Sequence, residues 1–436
     1  MFQSLGGQGT SNEKRIYRIR GEKTMSLNEI CGKRQLEFMK QFTYVREAGT
    51  EGELRAALAI QEELKCFGVE SRQEEFEFDT WKILEAEFTV TKPFEKTYKV
   101  AGYGRCGSTP EGGIEAPFLY AENGDDINLS FAKGKIVMVN NPMNGDMYKK
   151  LVNAGAVAFV TLTGTPIDEG EDTLLFTRAV PKVGETPIQG VVLHHKDAME
   201  IVDGGATHAR IILKSELGKA TSRNVIARIE GTEIPEEVLT LTAHFDTVPQ
   251  GPGAYDNMAA CAIIMELCRY FKAHNPRRTM EFVWFGAEEK GLLGSRNYTE
   301  VHKEELKNHQ FNMNVDLAGQ LVGGTVIGVT GDPAICHMIE YMAHEVGIGM
   351  VTRNAIWGSD SNTFAWNGVP AMTLNRDGYG MHTRHDIVDY ISPWSLERSA
   401  KLLGKIAENL GNIAVMPFPR TIPDQFMKEL DKYFNR

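Results

Sequence analysis

The run Val238-Leu239-Thr240-Leu241-Thr242-Ala243-His244-Phe245-Asp246 decides how this 436-residue chain folds. Residues 238–243 read as a β-strand, after which the side chains change abruptly to an imidazole and a carboxylate. In open α/β sheets ligands bind beyond the carboxyl ends of the strands, so His244 is predicted to stand at such an edge. Asp246 is placed to steady the imidazole, as the partner of a metal-binding histidine does. Alone the triplet is weak evidence, because a structural histidine suits the same place.

The pattern recurs downstream. The Gly/Pro loop Gly251-Pro252-Gly253-Ala254-Tyr255 leads to Asp256, by itself an ordinary helix N-cap and in this setting a candidate bridging ligand. The strand-like Phe282-Val283-Trp284-Phe285 is followed by Gly286-Ala287-Glu288-Glu289. Adjacent glutamates at a strand end resist burial unless a cation or proton compensates them. One can coordinate a metal while the other takes a proton from water. Asp316 ends a further strand-like run, residues 312–315, and His382 stands in Met381-His382-Thr383-Arg384-His385-Asp386. Each residue alone has a bland explanation; an isolated Glu-Glu pair, for example, is usually surface charge. Together, His244, Asp256, Glu289, Asp316 and His382 form a mixed nitrogen and oxygen set that suits zinc, with manganese or cobalt as substitutes. That is too many donors for one tetrahedral ion, and one shared carboxylate plus two ligands per ion fits a two-metal site.

Around this constellation the chain alternates strands and helices. Strands are expected over 224–229, 238–243, 279–285 and 312–317, with helices over 256–272, 333–346 and 395–410. Such alternation implies an α/β fold whose central sheet, mostly parallel and mixed, is covered on both faces by helices. Two helices are expected before residue 70, the second placing Ala57, Ile60, Leu64 and Phe67 on one face and ending at Gly68. Residues 69–78 read as a strand. Between about residues 81 and 219 the character shifts to short strands rich in Gly and Pro, around 85–90, 135–140, 156–162 and 190–193, interrupted by one helix at 146–154. The expected organisation is a tail (1–25), a discontinuous catalytic domain (26–80 and 220–436) and an insert (81–219) between its halves. The adjacent His194 and His195 in that insert read as surface or structural residues rather than ligands.

Composition excludes other classes. A formal net charge of −11 opposes nucleic-acid binding, and no apolar stretch reaches the ~18 residues of a membrane span. The polar N-terminus lacks the apolar core of a signal peptide, with Met25 as an alternative start, so the cytoplasm is the expected location. The six cysteines are scattered without a C-x-x-C pair and read as small hydrophobes. Nothing in the sequence sets an oligomeric state.

The segment from Arg223 to Val415 resembles the catalytic domain of the di-zinc aminopeptidase family, which also includes glutamate carboxypeptidase II, the transferrin receptor and glutaminyl cyclase. The resemblance rests on Arg223-Asn224-Val225-Ile226-Ala227, the A-H-F-D, G-A-Y-D-N, E-E, N-V-D and M-H-T motifs, Gly358-Ser359-Asp360 and Gly368-Val369-Pro370, all in order. The insert, with its G-K-I-V run at 134–137 and A-G-A-V run at 154–157, resembles a protease-associated (PA) domain. The resemblance implies two Zn2+ ions, one held by His244 and Asp316, the other by Glu289 and His382, with Asp256 bridging and Glu288 as general base. It also implies that the Asp256–Asn257 peptide is cis. The expected activity is removal of N-terminal residues from peptides. The rivals are a carboxypeptidase or an N-acyl amino acid deacylase, for which Arg353 and Arg376 are the candidate carboxylate binders, and a non-enzymatic scaffold, which the full ligand set disfavours. Arg384 and Ile387 depart from the proline and threonine frequent in the last motif. Tyr379 is a candidate oxyanion donor, and Trp357, Phe364 and Trp366 are candidates for an apolar specificity pocket.

Overall fold

The computed structural model describes residues 27–140, 143–180 and 187–434, so the expected tail lies outside the described residues. Four parallel strands form the centre of a mixed sheet, in the spatial order Ala371–Arg376, His309–Val315, Ile234–His244 and Arg278–Phe285. His208–Ile229 pairs antiparallel beyond Arg278–Phe285, while Thr325–Thr330 and Val351–Asn354 extend the opposite edge.

Side chains of successive strand residues point to opposite faces, and the core divides accordingly. Leu239, Leu241, Phe282 and Trp284 pack under the helices Gly32–Met39, Ala259–Ala273 and Pro393–Asn412. Val283 and Phe285 face the other way, toward Phe364, Tyr298 and Leu430 of the helices on the second face. Thr240 and Thr242 share that second face, where their hydroxyls bond His309 Nδ1 (2.7 Å) and Asn314 Oδ1 (2.8 Å). These two buried hydroxyls are thus paired rather than orphaned.

The two strand pieces expected at 69–78 and 85–90 are one continuous strand, Ser71–Lys92. It runs antiparallel to His208–Ile229 along nearly its whole length, from Ser71 opposite Ala227 to Lys92 opposite His208. This ribbon carries the chain out to the insert and back, passing residues 80 and 219 without a break. The insert has its own core, in which Phe88, Ile136, Val137, Phe159, Val191 and Ile211 are buried together. Its strand Ile136–Val139, helix Gly145–Asn153 and strand Ala158–Thr163 follow the expected order.

The helix expected from Asp256 begins instead at Ala259. Asp256 (φ −119°, ψ 87°) and Asn257 (φ −143°, ψ 30°) are not helical, because the Asp386 carboxylate accepts the backbone N–H of Tyr255 (2.6 Å) and Asp256 (3.0 Å) and holds both out of the helix. No helix among the described residues is long and apolar enough to cross a membrane.

Candidate metal centre

Each candidate ligand leaves the same edge of the sheet. His244 ends its strand, Asp316 follows His309–Val315, Glu288 and Glu289 follow Arg278–Phe285, and His382 lies in the loop after Ala371–Arg376. Asp256 stands between the two imidazoles, its Oδ1 3.1 Å from His244 Nε2 and its Oδ2 3.1 Å from His382 Nε2. Asp316 Oδ1 is 3.6 Å and Glu288 Oε2 3.9 Å from His244 Nε2, and Glu289 Oε1 is 3.1 Å from His382 Nε2. Donor atoms of His244, Glu288 and Asp316 lie within 4.8 Å of one another, as do those of Asp256, Glu289 and His382. Donors about 2.1 Å from a tetrahedral zinc stand roughly 3.4 Å apart, so these separations fit shared ions.

The electrostatics ask for positive charge. Burial disfavours a charged His244, yet Glu288, Asp246, Asp256 and Asp316 together hold its pKa well above the ordinary value. Hydrogen bonds to Asp256 and Glu289 raise His382 to about 10. Burial pushes Glu288 well up, opposed by His244 and reinforced by Asp316, Asp360 and Glu289. A site this acidic and this enclosed is matched by divalent cations.

Local backbone shape makes the convergence possible. Ala287, Leu317 and His382 adopt left-handed φ values of 54°, 69° and 60°, each at or beside a ligand-bearing turn. Such conformations cost about 1–3 kcal/mol each in non-glycine residues and persist only where the surroundings enforce them. Asn257 enforces one of them: its Oδ1 accepts Leu317 N–H (3.1 Å) and its Nδ2 donates to Val315 carbonyl (3.0 Å), clamping the turn that presents Asp316. Asp246 enforces another. Its two oxygens accept the N–H groups of Glu288 (3.0 Å) and Glu289 (3.2 Å), while Oδ1 lies 3.4 Å from His244 Nδ1. The Asp256–Asn257 peptide is cis.

The comparisons agree with this geometry. Residues 224–407 match the model of peptidase family M28. The matched stretch contains every candidate ligand, from His244 to His382. It is 26% identical to mouse carboxypeptidase Q over 389 residues, covering 83% of this chain and 82% of that one. It is also 26% identical to aminopeptidase YwaD of Bacillus subtilis over 387 residues, covering 82% and 79%. The fold is shared with the solved structure of a zinc aminopeptidase from Bacillus subtilis, at a TM-score of 0.74 and 22% identity, covering 91% of this chain and 99% of that one. That coverage leaves too little of the chain unaligned to omit the insert.

The scaffold here relies on supports that its sequence does not advertise. Arg46 is fully buried. Its guanidinium donates to the carbonyls of Phe245 (2.7 Å), Pro252 (2.5 Å), Gly253 (3.0 Å) and Phe42 (3.1 Å), and so ties both ends of the loop between His244 and Asp256 to the N-terminal segment. Arg46→Met keeps the aliphatic bulk but strands those carbonyls, and unfolding in urea should show a loss of about 3 kcal/mol. A loss below about 1 kcal/mol would mean the carbonyls find other partners.

Several other sequence candidates are placed elsewhere. Tyr379 is 61% exposed and leans on Tyr390, with ring centroids 5.8 Å apart. Tyr433, from the C-terminal helix Asp424–Tyr433, is a half-exposed phenol in the field of Glu288, Asp360 and Asp316; its partial burial first, and then those three carboxylates, raise its pKa. Its hydroxyl passes over Gly358, where a built Cβ would come within 4.0 Å of it. Phe364 is core, and Trp366 stacks on Phe434 and donates to Asp431 (2.9 Å). Arg376 is buried and donates to the carbonyls of Gln320 (2.7 Å) and Leu321 (2.8 Å), whereas Arg353 is exposed on the edge strand. His385 bonds Asp172 of the insert and is absent from the ligand clusters.

Proposed function

We propose that this chain is a zinc-dependent exopeptidase, and specifically an aminopeptidase. The observation that carries the reading is Asp256, whose two carboxylate oxygens face two different histidines at the same 3.1 Å. Two zinc ions would be held by His244 with Asp316 and by Glu289 with His382, Asp256 serving both. Bound there, zinc supplies Lewis-acid polarisation of the scissile carbonyl and lowers the pKa of water.

Glu288 then acts as general base. Its oxygen is farther from His244 than those of Asp256 and Asp316, which leaves it to accept a proton from the attacking water and return it to the departing amine. Asp246 holds the backbone of Glu288 and Glu289 together, so base and ligand move as one unit. The substrate's free α-ammonium suits the surrounding carboxylates. A substrate α-carboxylate would need an uncommitted cation, and Arg376 is occupied by backbone carbonyls.

The second reading, a carboxypeptidase or N-acyl amino acid deacylase on the same residues, is supported by the likeness to proteins named carboxypeptidase Q. A substrate panel separates the two. Aminoacyl anilides, which carry a free amine and no carboxylate, should be cleaved, and cleavage should vanish with a chelator and return with zinc. N-acylated amino acids should resist. Release from the acylated set alone would replace the aminopeptidase reading with the second one, and chelator-insensitive turnover would remove both.

A further inference from the structure

The loop that carries His382 is held firmly at its two ends. Before the histidine, Gln320 accepts the Tyr379 N–H (3.0 Å) and donates to the Tyr379 carbonyl (2.6 Å). After it, Asp386 is buried and anchored to Tyr255 and Asp256. Between these anchors the turn lies at the surface, and the His382 side chain is 46% exposed, against 1% for His244. A ligand on such a turn is positioned by whatever steadies the turn from outside.

The insert supplies that contact. Asp172 lies in the short helical turn Gly170–Thr173 and grips the two residues that follow Thr383. Its Oδ1 accepts from Arg384 Nε (2.6 Å) and lies 2.8 Å from His385 Nε2, and its Oδ2 accepts from Arg384 Nη2 (3.1 Å). Glu171 adds a looser pairing with Arg384 at 3.7 Å. A two-pronged guanidinium–carboxylate contact fixes direction as well as distance, which a single surface ion pair does not.

The Asp172 turn is itself braced at its base. Asp168 accepts the Thr165 N–H (2.8 Å) and lies 3.2 Å from Nε2 of the buried His194; Lys196 bonds the Asp168 carbonyl. Gly164 (φ 74°) lets the chain pass there, since a Cβ would come within 2.4 Å of His194 Nε2. The insert therefore reaches the catalytic edge through a short, anchored strut rather than a free loop. His194, which the sequence leaves open as surface or structural, is part of its footing.

We infer that Asp172 is a positioning residue for His382, acting through Arg384 and His385, so that the insert helps to set affinity for the ion held by Glu289 and His382. This rests on the metal-dependent reading above. Arg384 stands where proline is frequent in the last motif, and its side chain is what the insert holds.

The test is a zinc competition titration with a chromogenic chelator on the full chain, comparing the unaltered protein with Asp172→Ala, Asp172→Asn, Arg384→Ala and the double variant. Asp172→Ala should weaken binding of the zinc held by Glu289 and His382 about fivefold, the upper end of what an exposed ion pair delivers, because Asp172 bonds Arg384 and His385 rather than the ligand itself. Activity at limiting zinc should fall and recover with added zinc. Arg384→Ala should add little once Asp172 is gone. Glu200→Gln, which breaks an insert ion pair with Lys96 remote from this edge, should leave zinc affinity unchanged. Unchanged zinc affinity and activity in Asp172→Ala, or additive losses in the double variant, would overturn the inference while leaving the exopeptidase reading intact. An unaltered protein that binds no zinc and cleaves nothing would overturn both.

Discussion

Glu288→Gln should retain its zinc and lose turnover by about a thousandfold, within the range that a general base contributes. The substitution preserves size and shape, and the Glu288 backbone stays fixed because its N–H is bonded to Asp246. What disappears is the ability to accept and return a proton. The expected signature is therefore a fall in kcat with KM nearly unchanged, and metal content equal to that of the unaltered protein. If the variant keeps full activity, Glu288 is not the base. If it loses metal, Glu288 is a ligand, as its 3.9 Å approach to His244 would then have signalled.

Asp256→Ala should have the second largest effect, and through metal rather than proton transfer. Removing this one carboxylate strips a partner from both His244 and His382. Loss even of a residue that only orients a ligand costs about 10–100-fold in metal affinity, so loss of a shared ligand should cost at least about a hundredfold at each ion. Zinc analysis after gel filtration should find less than one ion per chain, with activity falling in parallel. Asp316→Ala should differ, emptying only the ion that His244 helps to hold. Two tightly bound ions in Asp256→Ala would end the bridging assignment.

Much of this was legible in the sequence because a buried parallel strand is an unbroken apolar run, and its end is marked where acids and imidazoles begin. Residues 238–244 and 282–289 advertise themselves in that way. The strand Ala371–Arg376 does not, being short and interrupted by the polar Thr373 and Asn375, so the sequence shows no unbroken apolar run before the loop that carries His382. The late start of the helix after Asp256 was equally hidden, because the residue responsible, Asp386, is 130 positions away. Arg46, Asn257 and Asp386 act on backbone N–H and carbonyl groups, which every residue possesses, so no pattern of side-chain types marks their partners. The long strand Ser71–Lys92 reads as two pieces for a related reason: its middle is half exposed and carries no continuous apolar face.

The sequence alone determined the donor types, their order and, for His244, Glu289 and Asp316, the strand ends from which they emerge, since these follow from local hydrophobicity and the chemistry of each side chain. Only the tertiary structure decided which oxygen of Asp256 faces which histidine, and that Tyr433 rather than Tyr379 stands in the field of the acidic cluster. It also decided that an aspartate of the insert holds the His382 turn. Those facts depend on contacts between residues far apart in the chain, whose geometry is set by how strands, helices and turns pack, and no local run of residues encodes it.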